Sequence, residues 1–325
     1  MIGKVSPDDL AAHVLGKTGA PDDAVRQGPA YGEDAAAIES PAGTLVVNTD
    51  PISLAVDRVG TLGINVACND VAASGGDPAW LTVAIFLPSD PDATAVLEEV
   101  TTQLHETALA RDVTIVGGHS EYNDALERPL LSLTCIGVTD RFVPTGGAAP
   151  GDHLLLTTGT GIEGTAILAT DFADALRDLG VEADTIESAS AFYDDLGVTP
   201  EARIVRDRAS AMHDPTEGGL IDGLFELASA SDVTVRVDRD AVPVRPETRQ
   251  LADAAGVDPF AIFGSGALLA AVPEDAVEGV LSDLAEAGIE AADIGTVESA
   301  EDVPLYLDGE AITDPVRDDL YALWE

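Results

Sequence analysis

The amino-acid sequence predicts an α/β (α+β) protein of two domains. Strand-like apolar runs alternate with stretches of helical period, a Gly- and Pro-rich break, PTGGAAPGD, falls near the middle, and 325 residues at 46% hydrophobic content suffice for two cores. In order, a short amphipathic helix is expected over 7–17 behind Ser6 as N-cap, then a loop rich in Gly, Pro and Asp to Gly32. Short strands at 35–38 and 44–49 are separated by the turn-forming SPAG. Residues 59–74 read as a helix, because Leu62, Val66, Asn69 and Ala73 share one face and Gly75-Gly76 stops it. WLTVAIFL gives a buried strand at 80–87, 92–111 a long amphipathic helix, and 113–116 and 130–138 two further strands. Beyond the break come a strand at 153–157, helices at 164–179, 200–209 and 217–229, a strand at 234–237, a helix at 247–255, a strand at 267–272, a helix at 274–287 and a short tail. This order divides the chain into an N-terminal segment (1–30), a first domain (31–143), a linker (144–152) and a second domain (153–325).

Charge excludes one class of partner. Fifty-nine acidic residues face 16 basic ones, a net charge of -43, and lysine occurs only at Lys4 and Lys17. Nucleic acid is bound by neutralising its phosphates, so it is not an expected partner. Apolar periodic segments run throughout, so the acid coats a globular fold rather than marking disorder. Such a coat suits a halophilic protein, since in molar salt the Debye length is about 3 Å and self-repulsion is screened. Cys68 and Cys135 form neither a disulfide framework nor a CxxC site and read as inert core residues. No run approaches the roughly 20 apolar residues of a membrane span, and no basic start leads into an apolar leader, so a cytoplasmic location with no membrane contact is expected.

In so acidic a chain, only carboxylates in apolar or glycine-flanked settings merit a functional reading. Four qualify: Asp34 in GEDAAAI, Asp50 in LVVNTDP, Asp70 in NDVAASGG and Glu121 in TIVGGHSEY. Each taken singly reads as a turn or cap residue. Strand ends of an α/β unit converge on one sheet edge, however, and carboxylates meeting there resist ionisation unless divalent cations sit between them. Oxygen-only ligands suit Mg2+. Asp70 adds a second argument, because it lies near the negative end of its helix macrodipole and nothing basic occurs between Arg58 and Arg111. Its positive partner is therefore a distant residue brought in by folding, or a metal ion.

The motifs GEDAAAI, VVNTDP, NDVAASGGDP, IVGGHSE, PGDHLLLTTGTG and MHDPTEGGL, in this order from near residue 30 to near residue 272, resemble the AIR synthase-like (PurM) superfamily. That superfamily includes AIR synthase, selenophosphate synthetase, thiamine-monophosphate kinase and the HypE-type hydrogenase maturation proteins. HDPTEGGL followed by VPVRPETRQLADAAGVDP looks most like the HypE branch. The resemblance implies an ATP-dependent enzyme, a homodimer whose N-terminal sheets pair into a shared barrel, and transfer of the γ-phosphate to an oxygen or selenium of a small-molecule substrate. By position it implies that Asp34, Asp50 and Asp70 hold Mg2+ and the ATP phosphates beside Asn69, with Glu121 as the acid of the Gly117-Gly118 turn.

In the second half, Thr216 is expected to cap a helix from Glu217, with Gly218-Gly219 opening its N-terminus to an anion. His213 and Asp214 precede it as candidate catalytic residues that orient substrate; the ordinary reading of His213 is a loop histidine bonded to backbone. Gly159, Gly161 and Gly164 spell GxGxxG, but no strand ending in an acid follows about 20 residues on, as a dinucleotide site requires. Arg203, Arg206 and Arg208 read as salt-bridged surface residues, and Lys4 as a cover for ATP phosphates. HypE proteins end in a carbamoyl-accepting cysteine, whereas here no cysteine follows Cys135, so that step is not expected. FGSGALL also departs from the acidic, lysine-bearing stretch of HypE. The expectation is an ATP- and Mg2+-dependent enzyme, HypE-related but without that cysteine. The alternatives are a thiamine-monophosphate kinase-like kinase or a catalytically silent nucleotide-binding scaffold with a protein partner.

Overall fold

The structure, a computed structural model, describes residues 3–89 and 92–325, and residues 1 and 2 of the N-terminal segment lie outside it. The first half gives α1 (Pro7–His13), β1 (Val25–Gln27), β2 (Ala36–Ser40), β3 (Gly43–Ile52), α2 (Val59–Ala73), β4 (Asp77–Leu87), α3 (Ala93–Ala110), β5 (Thr114–Tyr122) and β6 (Leu130–Thr139). Its six strands form one sheet in the order β1-β2-β3-β6-β4-β5. β4 and β5 are parallel, as their crossover through α3 demands, while β6 pairs antiparallel with both β3 and β4.

The second half gives β7 (Asp152–Thr157), α4 (Ile162–Asp171), α5 (Ala173–Asp178), α6 (Ala183–Ser190), α7 (Thr199–Val205), β8 (Ala211–His213), α8 (Gly219–Ser231), β9 (Val233–Val237), α9 (Pro246–Ala255), β10 (Leu269–Pro273), α10 (Val277–Glu286), β11 (Ala291–Ser299), β12 (Leu305–Leu307), β13 (Glu310–Ile312) and α11 (Tyr321–Trp324). A second sheet runs β13-β12-β9-β11-β7-β10-β8. Among the described residues no helix is long and apolar enough to cross a membrane.

Helix α2 organises the first half. Its composition, VGTLGINVACNDVAA, is apolar nearly all round, and every one of its residues is buried. Leu62 and Val66 pack with Leu131 and Leu133 of β6, and with Ile162, Tyr193 and Leu196 from the second half, so the two halves share this core. Each such leucine contributes about 1.5–3 kcal/mol by burial. A salt bridge ties the halves elsewhere: Arg203 Nε donates to Asp77 Oδ1 at 2.7 Å and Arg206 Nη1 to Asp77 Oδ2 at 3.1 Å. Arg208 pairs with Asp283, so all three arginines are salt-bridged.

Several elements differ from expectation. The strand expected at 113–116 continues to Tyr122, so Gly117-Gly118 is not a turn. A Cβ on Gly118 would lie 1.9 Å from the Val83 carbonyl oxygen, and only glycine allows β5 to approach β4 that closely. The helix expected at 164–179 breaks at Phe172, whose ring packs edge-on against Trp324 at 5.3 Å, giving α4 and α5. α8 starts at Gly219 rather than at Glu217. The sequence reading also omitted β1, α6, β8 and the whole of β11, β12 and β13, so the tail is a sheet edge and not a simple extension.

Candidate active site

Asp34 precedes β2, Asp50 lies near the end of β3, Asp70 near the end of α2, and Asp214 directly after β8. Asp34, Asp70 and Asp214 each offer a carboxylate oxygen within 4.8 Å of the others. Asp50 joins them through Asn48, which sits two residues earlier on the same face of β3. The Asn48 carboxamide donates to Asp50 Oδ2 at 2.7 Å and to Asp70 Oδ2 at 2.5 Å.

The positive partner comes from the second half. His213 Nδ1 lies 2.6 Å from Asp34 Oδ1, and its Nε2 lies 3.2 Å from Glu226 Oε2. Lys4 Nζ donates to Glu226 Oε1 at 3.0 Å and lies 3.7 Å from Asp222. A relay of alternating charge thus runs from Asp34 through His213 and Glu226 to Lys4. Burial alone would lower the pKa of His213, but the Asp34 and Glu226 carboxylates outweigh it and hold the imidazole well above its usual value. Burial would raise Glu226, yet Lys4 and His213 hold it at about 2.

Asp70 has no such compensation, and for Asp214 the nearby Asp70 carboxyl and the His213 charge offset burial only in part. Burial, then the neighbouring aspartates Asp50, Asp214 and Asp34, pushes Asp70 well above the carboxylate range, and burial and Asp34 do the same to Asp214. Asp214 is 1% exposed, and both of its carboxylate oxygens lack a hydrogen-bond partner in the protein. Buried carboxylate oxygens are rarely left unbonded, since each costs about 1–3 kcal/mol or more. Three buried carboxylates with two spare oxygens fit a hard divalent cation such as Mg2+. A bound Mg2+ would supply the charge that lets these groups ionise together and would neutralise phosphate oxygens.

Other predicted site residues are placed differently. Glu121 lies on β5, separated from β3 by β6 and β4, three strand spacings or about 14 Å across the sheet. Every residue of β5 is exposed, and Glu121 bonds His119 at 3.1 Å, so within the protomer neither it nor Gly117 and Gly118 joins the cluster. Asn69 is wholly buried and spends both ends of its carboxamide on backbone, donating to the Leu196 carbonyl at 2.8 Å and accepting from Val198 N–H at 2.9 Å. It positions the 196–198 segment.

Thr216 does not cap α8. The N-cap is Gly218, whose N–H is taken by Asp318 Oδ2 at 2.9 Å, so the helix start is already filled by a carboxylate. A Cβ on Gly219 would meet the Ile262 and Phe260 carbonyl oxygens at 2.5 and 2.6 Å, so that glycine serves backbone packing. Gly161 caps α4, and Gly164 seats it against Ile262. Of the members the sequence reading missed, Asn48 was accessible from the two-residue period of VVNTDP, whereas Glu226 lies in an apolar helix with no local mark.

Two cavities meet this region. One, of about 620 Å3, is lined by Lys4, Tyr31, Asp222, Glu226, Val316 and Tyr321. The other, of about 410 Å3, reaches Asp50 and Asp70 and shares Lys4 and Glu217 with the first.

Comparison with known proteins places both halves. Residues 32–139 match the family model "AIR synthase related protein, N-terminal domain" and residues 149–308 match its C-terminal counterpart. Hydrogenase expression/formation protein HupE of Azotobacter chroococcum is 31% identical over 82% of this chain and 79% of its own. Selenide, water dikinase of Nitratidesulfovibrio vulgaris is 31% identical over 90% of this chain and 91% of its own. Among solved structures, hydrogenase maturation protein HypE in complex with ATP superposes with a TM-score of 0.68 at 26% identity, covering 88% of this chain and 82% of that one.

Proposed function

The chain belongs to the AIR synthase related protein family, and on that premise we propose that it is an ATP- and Mg2+-dependent enzyme that activates a small substrate by phosphoryl transfer at the Asp34, Asp70 and Asp214 cluster. The observation that carries this reading is Asp214, a buried carboxylate with both oxygens unbonded, aligned with two others. The likeness to an ATP-bound HypE supports nucleotide as the ligand.

In this reading Asp34, Asp70 and Asp214 hold the metal, with Asp50 beside them. Asn48 fixes the Asp50 and Asp70 carboxylates, and the His213 imidazolium fixes Asp34, so His213 is a positioning residue. Phosphoryl transfer depends chiefly on such positioning and charge neutralisation. Lys4 closes the site from the N-terminal segment by way of Glu226 rather than by covering phosphates itself. Cys68 and Cys135 are both buried, so neither offers an exposed thiol to receive a carbamoyl group. A homodimer pairing through the exposed β5 edge would cover Ile115, Val116 and Tyr122 and would turn Glu121 toward the partner.

Phosphorus NMR of ATP incubated with the protein in molar KCl tests the reading. Mg2+-dependent conversion to ADP, abolished by EDTA, is the expected result. ATP that binds but stays intact would instead favour a silent nucleotide-binding scaffold with a protein partner.

A further inference from the structure

Glu163 is a buried acid that the site described above does not use. It lies in the first turn of α4, is 5% exposed, and its Oε2 has no hydrogen-bond partner. It lines the cavity of about 410 Å3 that Asp50 and Asp70 also line. Beside it, Ser265 is fully buried; its hydroxyl makes no hydrogen bond of good geometry, yet lies near enough to Glu163 to favour the ionised carboxylate in part. Glu163, with one oxygen unbonded, and Ser265 thus line one cavity whose remaining lining includes Ile52, Leu54, Val66 and Phe263. Burial pushes the Glu163 carboxyl up to about 7, and the Glu217 carboxylate adds to this. Asp318, Tyr193 and Tyr321 also feel its charge. A base with a pKa near the working pH is the best compromise between availability and strength.

Resting on the phosphoryl-transfer reading above, we propose that Glu163 takes the proton from the molecule phosphorylated here, and that this molecule carries no negative charge where it enters the cavity. An oxygen of the acceptor forms the new bond to the γ-phosphorus, the bond from that phosphorus to the β–γ bridging oxygen breaks, and ADP leaves with its electron pair. The acceptor's O–H proton passes to the Glu163 carboxylate, which becomes the neutral acid and later returns it to water. Ser265 is placed to hydrogen-bond the acceptor. Charge selection follows from the lining: apart from the metal-site aspartates its acids are Glu163 and Glu217, and the single cation among the described lining residues, Lys4, is engaged by Glu226 and Asp222.

Water is the simplest uncharged acceptor, so ATP hydrolysis by the full-length protein is the probe. Wild-type hydrolysis should rise with pH through about 7. Glu163→Gln should lose roughly 100-fold or more and show a flat profile over that interval, with Glu163→Asp recovering part of both. Mg2+-ATP should stabilise all three proteins equally against heat. In the infrared, a carboxylic-acid C=O band that titrates near pH 7 should appear in the difference spectrum of wild type against Glu163→Gln, and added acetate should leave hydrolysis unchanged. Equal rates and profiles in wild type and Glu163→Gln would overturn the proposal, as would a wild type that binds Mg2+-ATP and releases no phosphate at any pH. Inhibition by acetate but not by chloride would overturn the charge selection. Absence of Mg2+-ATP stabilisation in wild type would instead overturn the nucleotide reading, and this proposal with it.

Discussion

Asp70→Asn is expected to erase the stabilisation of the protein by Mg2+-ATP. At 100 times its dissociation constant, a ligand specific for the folded state adds about 2.7 kcal/mol, and thermal unfolding in molar KCl should read this gain in wild type and none in the variant. Without metal the variant should not be the weaker protein. Burial and neighbouring carboxylates raise the Asp70 pKa, so the folded state keeps a proton that the unfolded chain releases near pH 4. That contribution is complete below the unfolded value and lost as pH rises through the folded one, so metal-free wild type should weaken toward neutral pH. Asparagine has no proton to lose, and the variant should weaken less. A variant that responds to Mg2+-ATP as wild type does would show that Asp70 is no part of the nucleotide site.

Removing the imidazole with His213→Ala should cost about 3–5 kcal/mol, because breaking a buried ion pair from one side leaves uncompensated charge. Asp34 loses its charged partner at 2.6 Å, Glu226 loses one at 3.2 Å and keeps only Lys4, and His213 itself is 3% exposed. Urea unfolding of wild type and variant at neutral pH measures the difference. Added Mg2+ should recover part of the loss in the variant, since a cation beside Asp34 replaces the lost positive charge. A loss below about 1 kcal/mol would mean that Asp34 and Glu226 are held neutral and that no imidazolium balances them.

The sequence marked three members of the candidate cluster because their carboxylates interrupt apolar contexts. Asp34, Asp50 and Asp70 stand out against AAAI, LVVN and INVAC, and the antiparallel pairing of β2 with β3 and the packing of α2 on β3 bring them together, rather than a convergence of strand ends. Asp70 also posed the need for a positive partner, and folding supplies His213 next to Asp34, from a strand more than a hundred residues away. Glu121 shows where local reading stops. Gly117-Gly118 looks like a turn, yet the second glycine lets β5 press against the Val83 carbonyl, so the strand runs on and carries Glu121 away from β3.

The placement of Asn69 was hidden for a related reason. Beside Asp70 it looked like a ligand, but adjacent helix positions point in different directions, and its carboxamide meets the 196–198 backbone. Glu163 was invisible because in a chain with 59 acidic residues an arbitrary glutamate reads as surface coat, and only tertiary packing buries it. β11 escaped for want of a clear period, since AADIGTVES places only Ile294 and Val297 in the core, three residues apart.

The central claim is that Asp34, Asp70 and Asp214 together hold a divalent cation beside a nucleotide. Crystals grown with Mn2+ and a non-hydrolysable ATP analogue test it directly through the anomalous signal of manganese. The account predicts a peak within about 2.0–2.5 Å of an oxygen from each of the three aspartates, with phosphate oxygens completing its shell. Nucleotide bound with no peak there, or a peak that Asp214 does not touch, would contradict it.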